Sequence, residues 1–224
     1  MTSVSVVIPT FKKWTLAHQL LFDIYQKFPQ DVEVIVVDDC SGDQETLDGL
    51  TWWKTLYQGR LHIFINQVNA GFLKTANFGV SKATSDIVIL INTDVRIHSK
   101  EAYEQTMAMF SLVTDKPILV GGKKYSESTG WNDFDGRIFP YIEGWYLAFR
   151  KDDWDKFGGF DLRFVPNDME DVDLSTTYLA NGGVIVAITE GLLTHIGAQS
   201  MGYTMSRQKI TQANKIKFGE KWLK

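Results

Sequence analysis

Val32-Glu33-Val34-Ile35-Val36-Val37-Asp38-Asp39 decides how this chain folds. Residues 32–37 are apolar at nearly every position, so the run has no wet face and a dry face in alternation. A strand of that kind is covered on both sides, as in a parallel sheet with helices on either face. It runs straight into two carboxylates. Working outward, residues 3–8 form a similar run stopped by Pro9, residues 61–65 another, and residues 87–91 a fourth that ends at Asn92-Thr93-Asp94. Helical patterns lie between them: Leu20, Leu21, Ile24, Tyr25 and Phe28 recur at helical spacing ahead of Pro29, residues 44–56 follow suit, and residues 71–83 form a helix opened by Asn69-Ala70-Gly71. The order βαβαβαβ predicts an α/β fold, a single Rossmann-like domain with a mostly parallel central sheet. Such sheets bind ligands just beyond the carboxyl ends of their strands.

The second half is less regular. A Gly- and aromatic-rich stretch (125–145) leads into a strand at 145–149 and a short helix before Gly158-Gly159. A helix over 168–180, a strand at 184–188, a loop carrying His195 and a terminal helix from about Ser206 complete the pattern.

The 224 residues are 44% hydrophobic and 22% charged, which suits one sizeable core. The apolar runs fall far short of the roughly 20 residues that cross a bilayer, and the start lacks the n-region, h-region and cleavage site of an export signal. The single Cys40 excludes an internal disulfide framework and a multi-thiolate zinc site, so a cytoplasmic location is expected. A formal net charge of −4 argues against a general grip on nucleic acid or anionic membrane. Arg207, Lys209, Lys215, Lys217, Lys221 and Lys224 nevertheless face only Glu220 in the terminal segment. Either a solvated helix face or a binding surface accounts for them.

Three acid-bearing clusters fall at predicted loops and helix starts: Asp38-Asp39, Asn92-Thr93-Asp94, and Glu170-Asp171 with Asp173. Like charges gathered in a cleft repel one another and need a partner. A divalent cation serves, since Mg²⁺ and Mn²⁺ usually bind through one or two carboxylates plus substrate phosphates. The plainer alternative is that these acids cap helices and close turns.

Five blocks in this order resemble family 2 glycosyltransferases of the GT-A fold, in their rhamnosyltransferase-like branch. They are Val6-Val7-Ile8-Pro9-Thr10-Phe11; Val36-Val37-Asp38-Asp39-Cys40-Ser41; Asn69-Ala70-Gly71-Phe72 with Asn77-Phe78-Gly79; Leu90-Ile91-Asn92-Thr93-Asp94-Val95; and Gly158-Gly159-Phe160-Asp161 with Glu170-Asp171-Val172-Asp173-Leu174. The resemblance implies an inverting enzyme that moves a sugar from a UDP-, GDP- or dTDP-sugar to an acceptor hydroxyl, with Mg²⁺ or Mn²⁺ as cofactor. It implies a donor site at Pro9, Thr10, Asp38, Asp39, Asn69, Gly71, Asn77 and Asn92, with Asp39 accepting from the base. It assigns Asp94 to the metal on the diphosphate and Asp171 to the general base, with Glu170 beside it. His195, in His195-Ile196-Gly197-Ala198-Gln199-Ser200, resembles an HxxxxS element whose His can ligate the metal or touch the diphosphate; a hydrogen-bonded structural His is the alternative. Trp131, Trp145 and Tyr146 are candidates to stack on the acceptor, or core anchors. On a helix, positions i and i+3 share a face, so Glu170 and Asp173 are expected together with Asp171 turned away.

Two departures stand out. Asn92 occupies a position where an aspartate would add charge for the metal, and Thr176 and Thr177 stand where many relatives carry Arg. The expected division is a nucleotide-sugar half (1–98), an acceptor and catalytic half (99–205) and a C-terminal helix (206–224). A dinucleotide oxidoreductase needs a Gly-rich turn after the first strand, which Pro9-Thr10-Phe11-Lys12-Lys13 does not provide. A sugar-1-phosphate nucleotidyltransferase needs a Gly-rich, Arg-bearing loop there, also missing. A non-catalytic nucleotide-sugar binder would have lost Asp94 or Asp171, and both are present. The expected acceptor is a glycan, with a modified nucleic-acid base as a less favoured partner.

Overall fold

A computed structural model describes residues 3–197 and 204–223. The first half follows the predicted alternation: β1 (Val4–Thr10), α1 (Trp14–Lys27), β2 (Glu33–Asp38), α2 (Gln44–Leu56), β3 (Leu61–Ile65), α3 (Phe72–Lys82) and β4 (Ile87–Ile91). Then come β5 (Val95–Ile97), α4 (Glu101–Leu112) and β6 (Ile118–Gly121), followed by four two-residue strands, β7 (Lys124–Tyr125), β8 (Asp133–Phe134), β9 (Arg137–Ile138) and β10 (Tyr141–Ile142). The chain continues through β11 (Tyr146–Arg150), α5 (Lys151–Phe157), a 3₁₀ turn at Leu162–Phe164, α6 (Glu170–Ala180), β12 (Val184–Ala187), β13 (Leu193–His195) and α7 (Met205–Trp222).

The central sheet has seven strands in the order β12-β6-β11-β4-β1-β2-β3. All its pairings are parallel except those of β11, which runs antiparallel to β4 and β6. Alternate residues of each strand feed two cores. Val6, Ile8, Val34 and Val36 pack on one face with Leu20, Leu21 and Trp53 of α1 and α2. Val7, Ile35 and Val37 pack on the other with Leu73, Ala76 and Val80 of α3 and with Val172 and Tyr178 of α6. This two-sided burial is why β2 shows no alternation. On the second face α3 lies very close to the sheet: a Cβ at Gly79 would come within 2.5 Å of Val7 Cγ1.

Two expectations change. Pro9 does not stop β1, because Pro9 pairs with Val37 and Thr10 with Asp38. Its missing N–H falls where the ladder to β4 has already ended, at Val7 and Leu90, so no bond is lost there. His195 lies on a strand, not a loop: β13 pairs antiparallel with β5, His195 opposite Val95.

The terminal cations also have partners. Lys215 donates to the carbonyls of Gly130 (2.8 Å) and Asp133 (3.3 Å), and Lys217 to that of Arg163 (2.7 Å). Lys221 bonds Asp161 (3.0 Å) and Asp173 (2.9 Å), while Trp222 Nε1 donates to the other Asp173 oxygen (2.7 Å). With Phe218 fully buried against Phe134 and Phe139, one face of α7 braces the body, and Lys209 stands on its exposed face. Lys224 and the Ala198-Gln199-Ser200 part of the HxxxxS match lie outside the described residues. No helix among the described residues is long and apolar enough to cross a membrane.

Candidate active site

A cleft of about 1190 Å³ opens beyond the carboxyl ends of β1, β2 and β4. Its donor-side wall is keyed by Asp39. That carboxylate accepts from Asn66 Nδ2 (2.7 Å), Ala70 N (2.8 Å) and Gly71 N (2.8 Å), and so fixes the loop ahead of α3. A carboxylate offers about four lone-pair sites, which leaves Asp39 one for a ligand. Gly71 takes a φ of +84° there, a region that favours glycine. Pro9, Thr10, Asn69 and Asn92 line the same wall.

Two predicted donor residues are elsewhere. Asp38, fully buried, binds the N–H (3.0 Å) and hydroxyl of Ser41, closing the turn after β2. Successive residues leaving a strand point to opposite faces, so Asp38 and Asp39 cannot both enter the cleft. Asn77 clamps the backbone of Phe160, donating to its carbonyl (2.8 Å) and accepting from its N–H (3.0 Å). It faces a separate pocket of about 290 Å³.

Asp94 and His195 meet on the cleft's central wall, with Nε2 to Oδ2 at 3.4 Å. The β5–β13 ladder and the bond from Ile196 N–H to the Asp94 carbonyl (3.0 Å) hold them side by side. The imidazole stacks on Trp145 (5.2 Å between centroids, 18° between planes), whose Nε1 donates to Glu143 (2.8 Å). Trp145 is thus a nearly buried support for His195 rather than an open acceptor platform. Among the described residues no cluster of three or more His, Cys, Asp or Glu side chains gathers as a metal cage. One carboxylate and one imidazole do fit a cation that takes its remaining oxygens from a diphosphate.

Across the cleft, α6 begins with Glu170 and Asp171. Gly144 N–H (3.2 Å) and Val172 N–H (2.8 Å) donate to Asp171. Burial pushes the Asp171 carboxyl up to about 7; these two bonds hold it down, and Glu143 and Asp168 add to the rise. Burial, with the charge of Asp171, raises Glu170 well above the carboxylate range. The expected pairing of Glu170 with Asp173 fails. Both Glu170 and Asp171 line the cleft, because it lies off the end of the helix rather than along a flank, and Asp173 turns to Lys221 and Trp222.

Tyr146 leaves the acceptor set as well: it is 0% exposed, its hydroxyl bonded to Thr106 (2.8 Å). Trp131 lines the cleft with its ring open to solvent. Asp168 and Arg207 were not legible as a pair. Arg207 grips Asp168 through two nitrogens (2.8 and 3.1 Å), Thr211 adds a bond (2.7 Å), and no sequence pattern links residues so far apart. Of the seven buried polar side-chain atoms without a partner among the described residues, four belong to residues lining this cleft: Thr10 Oγ1, Asn92 Oδ1, Asn167 Oδ1 and Glu170 Oε2. Buried polar groups are ordinarily bonded, so such a concentration marks a ligand site.

Residues 5–160 match the family Glycosyl transferase family 2. The chain belongs to this family. The matched residues cover the donor wall and Asp94 and stop short of Glu170, Asp171 and His195. Glycosyltransferase GlyG of Streptococcus pneumoniae serotype 4 (strain ATCC BAA-334 / TIGR4) is 24% identical over 144 residues, covering 63% of this chain and 44% of GlyG. The chain spans less than half the length of the curated relatives it matches. Among solved structures, the mannosyltransferase PcManGT from Pyrobaculum calidifontis, in complex with GDP-Man and Mn²⁺, superposes with a TM-score of 0.75 at 20% identity, over 96% of this chain and 64% of that one. TarS of S. aureus in complex with UDP-GlcNAc gives 0.65 at 21% identity, over 90% and 62%. The fold of this family 2 glycosyltransferase domain is GT-A.

Proposed function

We propose that this domain transfers a sugar from a nucleoside-diphosphate sugar to a hydroxyl of a glycan, with inversion at the anomeric carbon, in the manner of the rhamnosyltransferase-like branch. The observation that carries the reading is one cleft lined both by the Asp94–His195 pair and by Glu170 and Asp171. Residues 1–98 hold the donor, with Thr10, Asp39, Asn69, Gly71 and Asn92 around it; residues 99–205 supply the acceptor side; residues 206–224 brace the whole. Asp94 and His195 would hold Mg²⁺ or Mn²⁺, which when bound neutralises charge on the departing diphosphate. An imidazole in the set suits Mn²⁺ better than Mg²⁺.

Asp171 takes the proton from the acceptor hydroxyl as that oxygen attacks. A carboxyl titrating near 7 is matched to this task, since a base works best with its pKa near the working pH. Burial and the charge of Asp171 push the Glu170 carboxyl up, which disfavours a second buried charge beside the base. A nucleic-acid acceptor is less favoured, because Lys221 and Arg207 of the terminal cluster are paired with carboxylates of the same chain.

The test is turnover across UDP-, GDP- and dTDP-sugars with Mn²⁺, with Mg²⁺ and with excess chelator. Asp94→Ala is expected to lose both metal dependence and most activity while keeping its melting temperature, and His195→Ala to weaken Mn²⁺ affinity. Full turnover in chelator removes the metal from the mechanism; unchanged Mn²⁺ affinity with a lower melting temperature makes His195 structural.

A further inference from the structure

Trp131 is 41% exposed at the cleft, and its loop is built to keep it there. Asn132, wholly buried, accepts from the N–H (2.9 Å) and hydroxyl (3.0 Å) of Thr129 and donates to the carbonyls of Glu127 (3.1 Å) and Phe139 (3.0 Å). Phe139 N–H returns a bond to the Asn132 carbonyl (2.8 Å). From α7, Lys215 fastens the carbonyls of Gly130 and Asp133, so the backbone is tied on both sides of the tryptophan. A large apolar ring kept in water on a rigid loop forgoes its own burial, and such rings are the usual anchors of recognition.

The same loop leads into β10 and on to the proposed general base. Ile142 N–H, on β10, donates to the Ser175 hydroxyl of α6 (3.0 Å), and Gly144 N–H donates to Asp171 (3.2 Å). Tyr141 lines the same cleft and stacks on Tyr125 (5.2 Å, 22°). A ligand lying on the indole thus shares the cleft with hydroxyl-binding groups, Tyr141 and Glu143, as well as with the carboxylate.

We infer that Trp131 is the platform on which an uncharged pyranose of the acceptor stacks, with one hydroxyl directed toward Asp171; this rests on reading the cleft as a glycosyltransferase site. A pyranose carries an apolar C–H face for the indole and a rim of hydroxyls for the polar groups beyond it. Charge selects against an anionic acceptor. Glu143, Asp171 and Glu190 line the cleft. Of its cations, Arg207 is held by Asp168 and Lys124 by the Ile185 carbonyl, which leaves Lys123.

Saturation-transfer NMR tests this on the full chain with Mn²⁺ and either UDP or GDP, using methyl pyranosides of glucose, galactose, mannose, N-acetylglucosamine and rhamnose as probes. At least one should receive saturation mainly on the C–H protons of one ring face. Trp131→Ala should weaken that probe about tenfold, equivalent to roughly 1.4 kcal/mol. Trp131→Phe should recover part of the loss, and nucleoside-diphosphate affinity should stay within about twofold, since a ring on the acceptor side gives the donor no stacking contact. The proposal is overturned if no probe shows Trp131-dependent contact, or if Trp131→Ala instead weakens the nucleotide. Metal-dependent hydrolysis of the nucleotide sugar by the unaltered protein separates the two failures: if it persists, only the platform falls, and if no donor in the panel is turned over, the reading of the cleft falls with it.

Discussion

At the residue scale the first turn of α6 carries the proposed general base. Burial pushes Asp171 up to about 7, above its unfolded value of 3.8, so the ionised form that the proposal requires gathers as pH rises. The rate kcat should climb through about pH 7, and Asp171→Asn should flatten that limb and lower kcat by roughly 10² to 10⁴-fold while donor affinity holds. Linkage gives stability the opposite sign. A raised folded pKa contributes stability that is fully present below the unfolded pKa and is lost as pH rises through the folded one. Asp171→Asn should therefore melt above wild type at pH 8, and the gap should close toward pH 4; thermal melts across that range check it, and an unchanged gap would falsify the assignment. Asp94 and Asp171 were singled out by the family resemblance, and the structure places both at the cleft. The places of Asp38 and Tyr146 were not legible, since a sequence does not reveal which neighbour in a pair turns inward.

At the element scale, α7 supports the segment that leads into α6. Asn214 sits fully inside and donates to the carbonyls of Phe164 (2.8 Å), Asn167 (2.8 Å) and Asp168 (3.0 Å), directly ahead of Glu170. Asn214→Ala would leave those acceptors without their donor, at about 1–3 kcal/mol for a buried unsatisfied group. The melting temperature should fall and kcat should drop, with nucleoside-diphosphate binding nearly unchanged because the donor wall lies on other elements. Equal losses in donor affinity and kcat would contradict this division. Periodicity located α7 and α6 as helices, but their mutual grip joins residues some 40 positions apart. The same limit hid the β5–β13 ladder: two three-residue strands carry too little pattern to be read, and His195 looked like a loop residue.

At the scale of the molecule, the two-sided sheet was plain from its unbroken apolar strands, and the place of the cleft followed from it. The antiparallel course of β11 did not, because a central strand buried on both faces reads alike in either direction. The bracing of α7 bears on how the protein meets charged surroundings. With Lys221 and Arg207 paired to carboxylates of the same chain, Lys209, Lys215 and Lys217 are too few to make a continuous positive stripe on a body of net charge −4. Long-range attraction toward polyanions depends on such a stripe and is what salt screens away. The protein should pass through a heparin column even at low ionic strength, and retention that ends as salt is added would show a cationic field after all. An anionic donor then gains no attraction from the body as a whole, and its capture rate should not fall as ionic strength rises.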